Sequence, residues 1–467
     1  MLIHACAFLD IPIISWLLNL GANFNKCNND GLSPISRACR HGKTEIVRLL
    51  LYKGADYNKR SNDGRSPLMH ACKCGHIEIV RMLLDVEADY NKCSNDGRST
   101  VLYACKYGHI EIVKMLLDIG ADYNKCKNDG WSPVLFACRY GHTEIVKMLL
   151  DIGADYNKCE NDGWSPVCLA CRYGHTKIVR MLLDTGADYN KCDNDGWSPL
   201  KSACEHGHTE ILRMLLDTGA DYNQCERDVW SPLMLSCIEG HTEIVRMLLD
   251  IGVDYDQCLS DGWTPVMGAS FNGHTEIVGM LLDIGVDFNK CNSDGWSPVM
   301  FSCLTGHTEI VRMLLDIGAD YDHRESDGWS LVVVSCCRGH TEIVRILLDL
   351  GLDYNKCRSD GWSPVMIACR NGYTKIVKML LDIGADYNKC NRDDWSPLML
   401  SCMEGHTEVV RMLLDIGVDN NKCNNKGQSS VMIAFDRGHS DIVHAINVHS
   451  MKENGTFKTV LEQINKI

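Results

Sequence analysis

Two residue types with chemical potential recur along this chain. Eleven histidines each follow a glycine: His76, His109, His142, His175, His208, His241, His274, His307, His340, His406 and His439. Of the 26 cysteines, nearly all fall into two ladders, one typified by Cys105 and Cys138 and the other by Cys126, Cys159 and Cys225. Imidazoles and thiols ligate metals, move protons and attack electrophiles. The spacing argues against all three. Each histidine stands 33 residues, or a multiple of that, from the others, so it lies beside its own copies and not beside a nucleophile. Gly-His-Thr-Glu-Ile also lacks the second histidine that a zinc-binding His-Glu-x-x-His helix presents one turn later. Cys168-Leu-Ala-Cys171 is a single CxxC without a partner pair at zinc-site spacing. No phosphate loop, dinucleotide fingerprint or nucleophile elbow occurs. The reading is therefore no catalytic residue, no cofactor and no metal.

The interval points instead to the elements that carry these residues. Trp131, Trp164, Trp197, Trp230, Trp263, Trp296, Trp329, Trp362 and Trp395 are each 33 residues from the next, and a period in this range means stacked supersecondary units. The stretch from Asp129 to Cys159 stands for the rest. Ser132 is placed to cap a first helix with Pro133 at its opening position, where a missing N–H is harmless. Gly141 can end it in the left-handed conformation. Glu144 suits the first turn of a second helix, favoured there by the helix dipole. Ile145, Val146, Met148, Leu149 and Leu150 cover more than a narrow stripe, so that helix packs on its partner and on the next repeat. After Gly153 come few helix formers, and Asn161-Asp162-Gly163 is a tight-turn signal that predicts a β-hairpin finger.

With Ser-Pro-Val/Leu, Ala-Cys, Gly-His-Thr-Glu-Ile-Val, Leu-Leu and Gly-Ala-Asp-Tyr-Asn, the unit resembles an ankyrin repeat over essentially the whole chain. The resemblance implies a mainly α ankyrin-repeat solenoid, a curved elongated array of about fourteen helix-turn-helix units with hairpin fingers. Residues 1–29 are expected to be a truncated capping repeat, 30–446 about thirteen tandem repeats with a divergent last one, and 447–467 a short tail. Val229 and Asp394 replace the finger glycine, and Met, Leu or Cys mostly replaces the histidine of the family's Thr-Pro-Leu-His. Soft points are expected at Glu87, Thr100 and Leu331, and above all in residues 262–294, where Gly268, Ser270 and Gly279 break the pattern.

A net charge of −14 and a pI near 5.7 argue against general nucleic-acid binding, which draws on Lys and Arg. No run is apolar enough to span a bilayer. The apolar N-terminus lacks a basic leading segment and carries Asp10 and Pro12, so it reads as a helical cap and not a signal peptide. Equivalent cysteines should stand roughly 8–10 Å apart, beyond the ~7 Å reach of a disulfide. They read as small core residues in a reducing compartment, cytoplasm or nucleus.

What remains is surface. The resemblance implies a non-enzymatic scaffold, expected as a monomer, that binds partner proteins along the concave face of fingers and first helices. Two sets of positions match that face: the nine tryptophans above, and the pair following the first-helix cysteine. In the N-terminal half the latter gives five cations, Arg40, Lys73, Lys106, Arg139 and Arg172, with Tyr107, Tyr140 and Tyr173. An acidic partner segment is expected there, and a more apolar one toward the middle. The alternative is a substrate-capturing adaptor whose tail recruits machinery such as a ubiquitin ligase.

Overall fold

The computed structural model describes residues 2–8, 10–223, 230–321 and 328–453. Cys225, Val229 and tail residues 454–467 lie outside them. The described residues form 28 helices, and the chain divides into two compact units, Met1–Pro232 and Leu233–Ile467. In both units first helices pack on their own second helices and on the first helices of the next repeat, while second helices pack on second helices.

The repeat at Pro133–Tyr140 and Thr143–Asp151 shows why. Ser132 takes an extended conformation and its Oγ accepts from the Leu135 N–H at 3.2 Å, Pro133 opens the helix, and Gly141 closes it at φ +75°. Thr100 and Leu331 leave this device intact, since Ser99 and Ser330 still cap their helices. Glu87, by contrast, is held at φ +59° where other repeats have glycine, a conformation that costs a non-glycine residue about 1–2 kcal/mol.

The second helix has no side-chain cap, because its histidine is used between repeats. His142 Nε2 meets the Lys106 carbonyl at 3.3 Å, and the same bond joins His76 to Arg40, His109 to Lys73 and His175 to Arg139. A carbonyl only accepts, so each ring carries its proton on Nε2. Gly-Ala-Asp-Tyr-Asn works the same way. Ala154 is buried, and the Asp155 carboxylate accepts from the Asn157 N–H. The Tyr123 hydroxyl donates to the Ile152 carbonyl of the following repeat, and Asn124 Oδ1 accepts from the following Asp155 N–H.

The finger differs from a hairpin. Its turn closes with Gly163 N–H to the Glu160 carbonyl and Glu160 N–H to the Trp164 carbonyl, and Asn161 N–H bonds the preceding finger at Asp129. No strand forms among the described residues beyond an isolated bridge, Cys423 to Ser429. The Asp155–Asn157 turn on one side and Ser165-Pro166 on the other leave too few residues for a ladder.

In residues 262–294 the two helical glycines behave differently. A methyl group on Gly268 would lie 2.6 Å from Ile238 Cγ1, whereas on Gly279 its nearest neighbour is Met313 Cε at an ordinary 3.5 Å. Gly279→Ala should therefore stabilise the protein by about 0.5–1 kcal/mol through helix propensity. Gly268→Ala should destabilise it, overpacking outweighing that gain. Thermal melts of the two variants check this; a gain in both would show that Gly268 is not held by Ile238.

Candidate protein-binding face

The nine recurring tryptophans are neither a free apolar strip nor buried plugs: eight are half-buried, and Trp230 is the most open of them at 39%. Three of them are covered by an arginine at the end of the first helix of the same repeat. Arg139 lies over Trp131 at 5.2 Å, Arg172 over Trp164 at 5.1 Å and Arg370 over Trp362 at 5.3 Å. In the second unit Trp263, Phe271, Phe301, Trp296 and Trp329 form a connected ring cluster, with centroid separations of 4.6 to 6.2 Å, and Arg358 covers Trp329 at 4.2 Å.

The cations of the first unit are brought together. Lys73 and Lys106 flank the Tyr107 ring at 5.9 and 5.7 Å, and Lys106 reaches Phe136 at 5.3 Å. Phe136 stacks on Tyr140 at 6.3 Å, and Arg139 touches Tyr140 at 5.8 Å and Tyr173 at 5.6 Å. Partial burial, and after it the surrounding cations, push the Lys73 and Lys106 ammonium groups below their ordinary value. Among the described residues Arg40, Lys73, Lys106 and Arg139 have no carboxylate within ion-pair distance. Arg172 does, facing Glu205 at 3.8 Å. The face is thus a local concentration of positive charge and aromatic rings on an acidic protein.

Sequence reading missed five members of this face. Arg65 and Arg98 stand at the tryptophan position of earlier repeats and sandwich Tyr103 at 5.6 and 5.9 Å, with Arg65 Nε donating to its hydroxyl at 2.8 Å. Both are neutralised by Asp63 and Asp96. His70, Tyr103 and Phe136 occupy one register position, two residues before the cysteine. The signal that could have found it was variability in that column, which also holds Leu169, Ser202 and Gly268.

His70 lines a cavity of about 340 Å³ with Arg40, Arg65, Asp30 and Asp63. It is 3% exposed, and its Nε2 has no partner among the described residues. Burial lowers its pKa to about 4, with Asp63 opposing and Arg65, Arg40 and Lys73 assisting. The unfolded chain takes this proton near pH 6.5, so the stability that a neutral His70 contributes is complete above pH 6.5. It is lost as the pH falls toward 4, by on the order of 3 kcal/mol. His70→Phe, a residue the fold accepts at Phe136, should be less destabilised between pH 7 and pH 4 by that amount. Equal acid sensitivity of the two proteins would contradict it.

No disulfide links the described cysteines, and those at the recurring first-helix position, such as Cys105 and Cys138, are buried, whereas Cys74 at the end of its helix is exposed. Burial pushes the Cys168 thiol up to about 12 and Cys171 well above its usual value, so neither is a thiolate at neutral pH. No helix among the described residues is long and apolar enough to cross a membrane.

Each unit is a stack of paired helices joined by turn fingers, the architecture of a helical-repeat protein. Residues 2–93, 86–159, 152–225, 223–291, 284–357, 317–391 and 383–451 match the family model for ankyrin repeats in three copies, and the chain belongs to the ankyrin-repeat family. The ankyrin repeat domain of human ASB11 is similar at 27% identity over 43% of this chain and 90% of that one, with a TM-score of 0.41. No curated protein matches the chain. Ankyrin repeats are protein-interaction modules, generally without catalytic activity.

Proposed function

We propose that this protein is a non-enzymatic binding scaffold whose first unit captures an acidic segment of a partner protein. The observation that supports it is the set Arg40, Lys73, Lys106 and Arg139, uncompensated among the described residues and interleaved with Tyr107, Phe136, Tyr140 and Tyr173. Like charges held together destabilise a free surface and are relieved by an anionic partner. The half-exposed tyrosine rings beside them add contact area at little conformational cost. The ring cluster of the second unit suits an apolar segment.

Affinity capture from native extract tests this. The full chain should recover a partner that the Arg40→Ala, Lys73→Ala, Lys106→Ala, Arg139→Ala variant does not; equal recovery contradicts the proposal. A chain ended after Glu453 should capture as well as the full one. Ending it after residue 446 would cut the helix Ser440–Glu453, so the later position is the cleaner test of the tail.

A further inference from the structure

We infer that the first unit reads its partner in an extended conformation with an acidic side chain at every third residue. This register rests on the reading of the face as an acceptor for an acidic segment. Arg40, Lys73, Lys106 and Arg139 come one from each of four successive repeats, at the same position in each. Packed helices stand roughly 8–10 Å apart. The structure agrees, since Lys73 and Lys106 lie on one ring, at 5.9 and 5.7 Å from its centroid.

A polyproline II chain advances about 3.1 Å per residue with three residues per turn, so every third side chain returns to the same face after roughly 9 Å, one cation to the next, whereas a β-strand would turn every third side chain to the opposite face. An α-helix rises about 1.5 Å per residue and would need some seven residues for the same step. The tyrosines decide between the two. Tyr107, Tyr140 and Tyr173 are 41%, 44% and 42% exposed, and their hydroxyls have no hydrogen-bond partner among the described residues. An extended peptide carries backbone carbonyls that need donors, whereas a helix has satisfied its own. The phenols that follow Lys106, Arg139 and Arg172 therefore supply donors at the same three-residue interval as the cations, His41 and Cys74 holding that position in the two earlier repeats, and the Tyr107 ring separates Lys73 from Lys106.

Three fluorescein-labelled peptides test the register against the full chain by anisotropy. The first has four glutamates at every third position with serine and proline between, and the second has the same composition with the glutamates adjacent. The third is an alanine-rich helix with glutamate at every seventh position. The first should bind at least about tenfold more tightly than either other. The variant Tyr107→Phe, Tyr140→Phe, Tyr173→Phe, which keeps the rings, should reduce that preference. Equal affinity for the first two peptides, or preference for the helix, would overturn the register and leave the acidic face standing. No measurable binding of any peptide, or tighter binding of a single-stranded oligonucleotide of equal charge, would overturn the face itself and the register with it.

Discussion

Replacing Gly108 with alanine should destabilise the protein by roughly 2–5 kcal/mol. Two effects combine. Gly108 sits at φ +77°, where a β-carbon costs about 1–2 kcal/mol, and that carbon would lie 2.6 Å from His142 Cε1, an overpacking worth roughly 1–3 kcal/mol. The histidine cannot retreat without losing its bond to the Lys106 carbonyl. Gly120 supplies the control, because at φ +79° it has nothing within 4 Å of an added methyl and Gly120→Ala should show the backbone effect alone. In a His142→Ala background the cost of Gly108→Ala should fall to that of Gly120→Ala. Thermal melts of the four variants give the comparison, and identical losses at the two glycines would mean that the Gly-His pair is not the contact that joins repeats.

The second large effect concerns binding. Lys106→Glu with Arg139→Glu should weaken the captured partner by at least about 100-fold, since removing one member of a hydrogen-bonded charge pair at an interface costs roughly 2–5 kcal/mol. Both side chains are half-buried but make no ion pair among the described residues, so the circular dichroism of the variant should match that of the parent. Arg172→Ala should change affinity far less, because Glu205 already faces that guanidinium. The affinity of the parent should fall steeply with salt and that of the variant should not. A loss under threefold in the double variant would contradict the assignment.

Much of the fold was legible because each local device has a residue signature. Ser132, Pro133 and Gly141 mark a helix by capping, proline position and positive φ, and the tryptophan interval marks the stack. The hairpin was over-read. Asn-Asp-Gly does specify a tight turn, but a ladder also needs flanking residues, and Ser165 begins a helix immediately after Trp164. The environment of the tryptophans was not legible, since it depends on what stands eight residues later: arginine at 139, 172 and 370 covers a ring and Phe271 meets Trp263 edge-on, while the position is Glu205, Ile238, Leu304, Cys337 or Met403 in other repeats. The cations were visible one column at a time. That Tyr103 and Phe136 weld them into one face follows from a second column, whose variation at Arg37, His70, Leu169 and Ser202 reads as drift until neighbouring repeats are set side by side. The histidines were correctly read as structural, yet their partner is the carbonyl of the residue 36 positions earlier, a distance that no local pattern reveals.

Carbodiimide cross-linking in native extract bears most directly on the claim that the first unit holds an acidic partner. The reagent joins an amine to a carboxylate without a spacer, so only lysines in ion-pair contact react. The full chain should yield adducts in which Lys73 and Lys106 are joined to aspartate or glutamate of another protein. Adducts confined to lysines on the second helices, such as Lys147 and Lys177, would place the partner elsewhere and contradict the account.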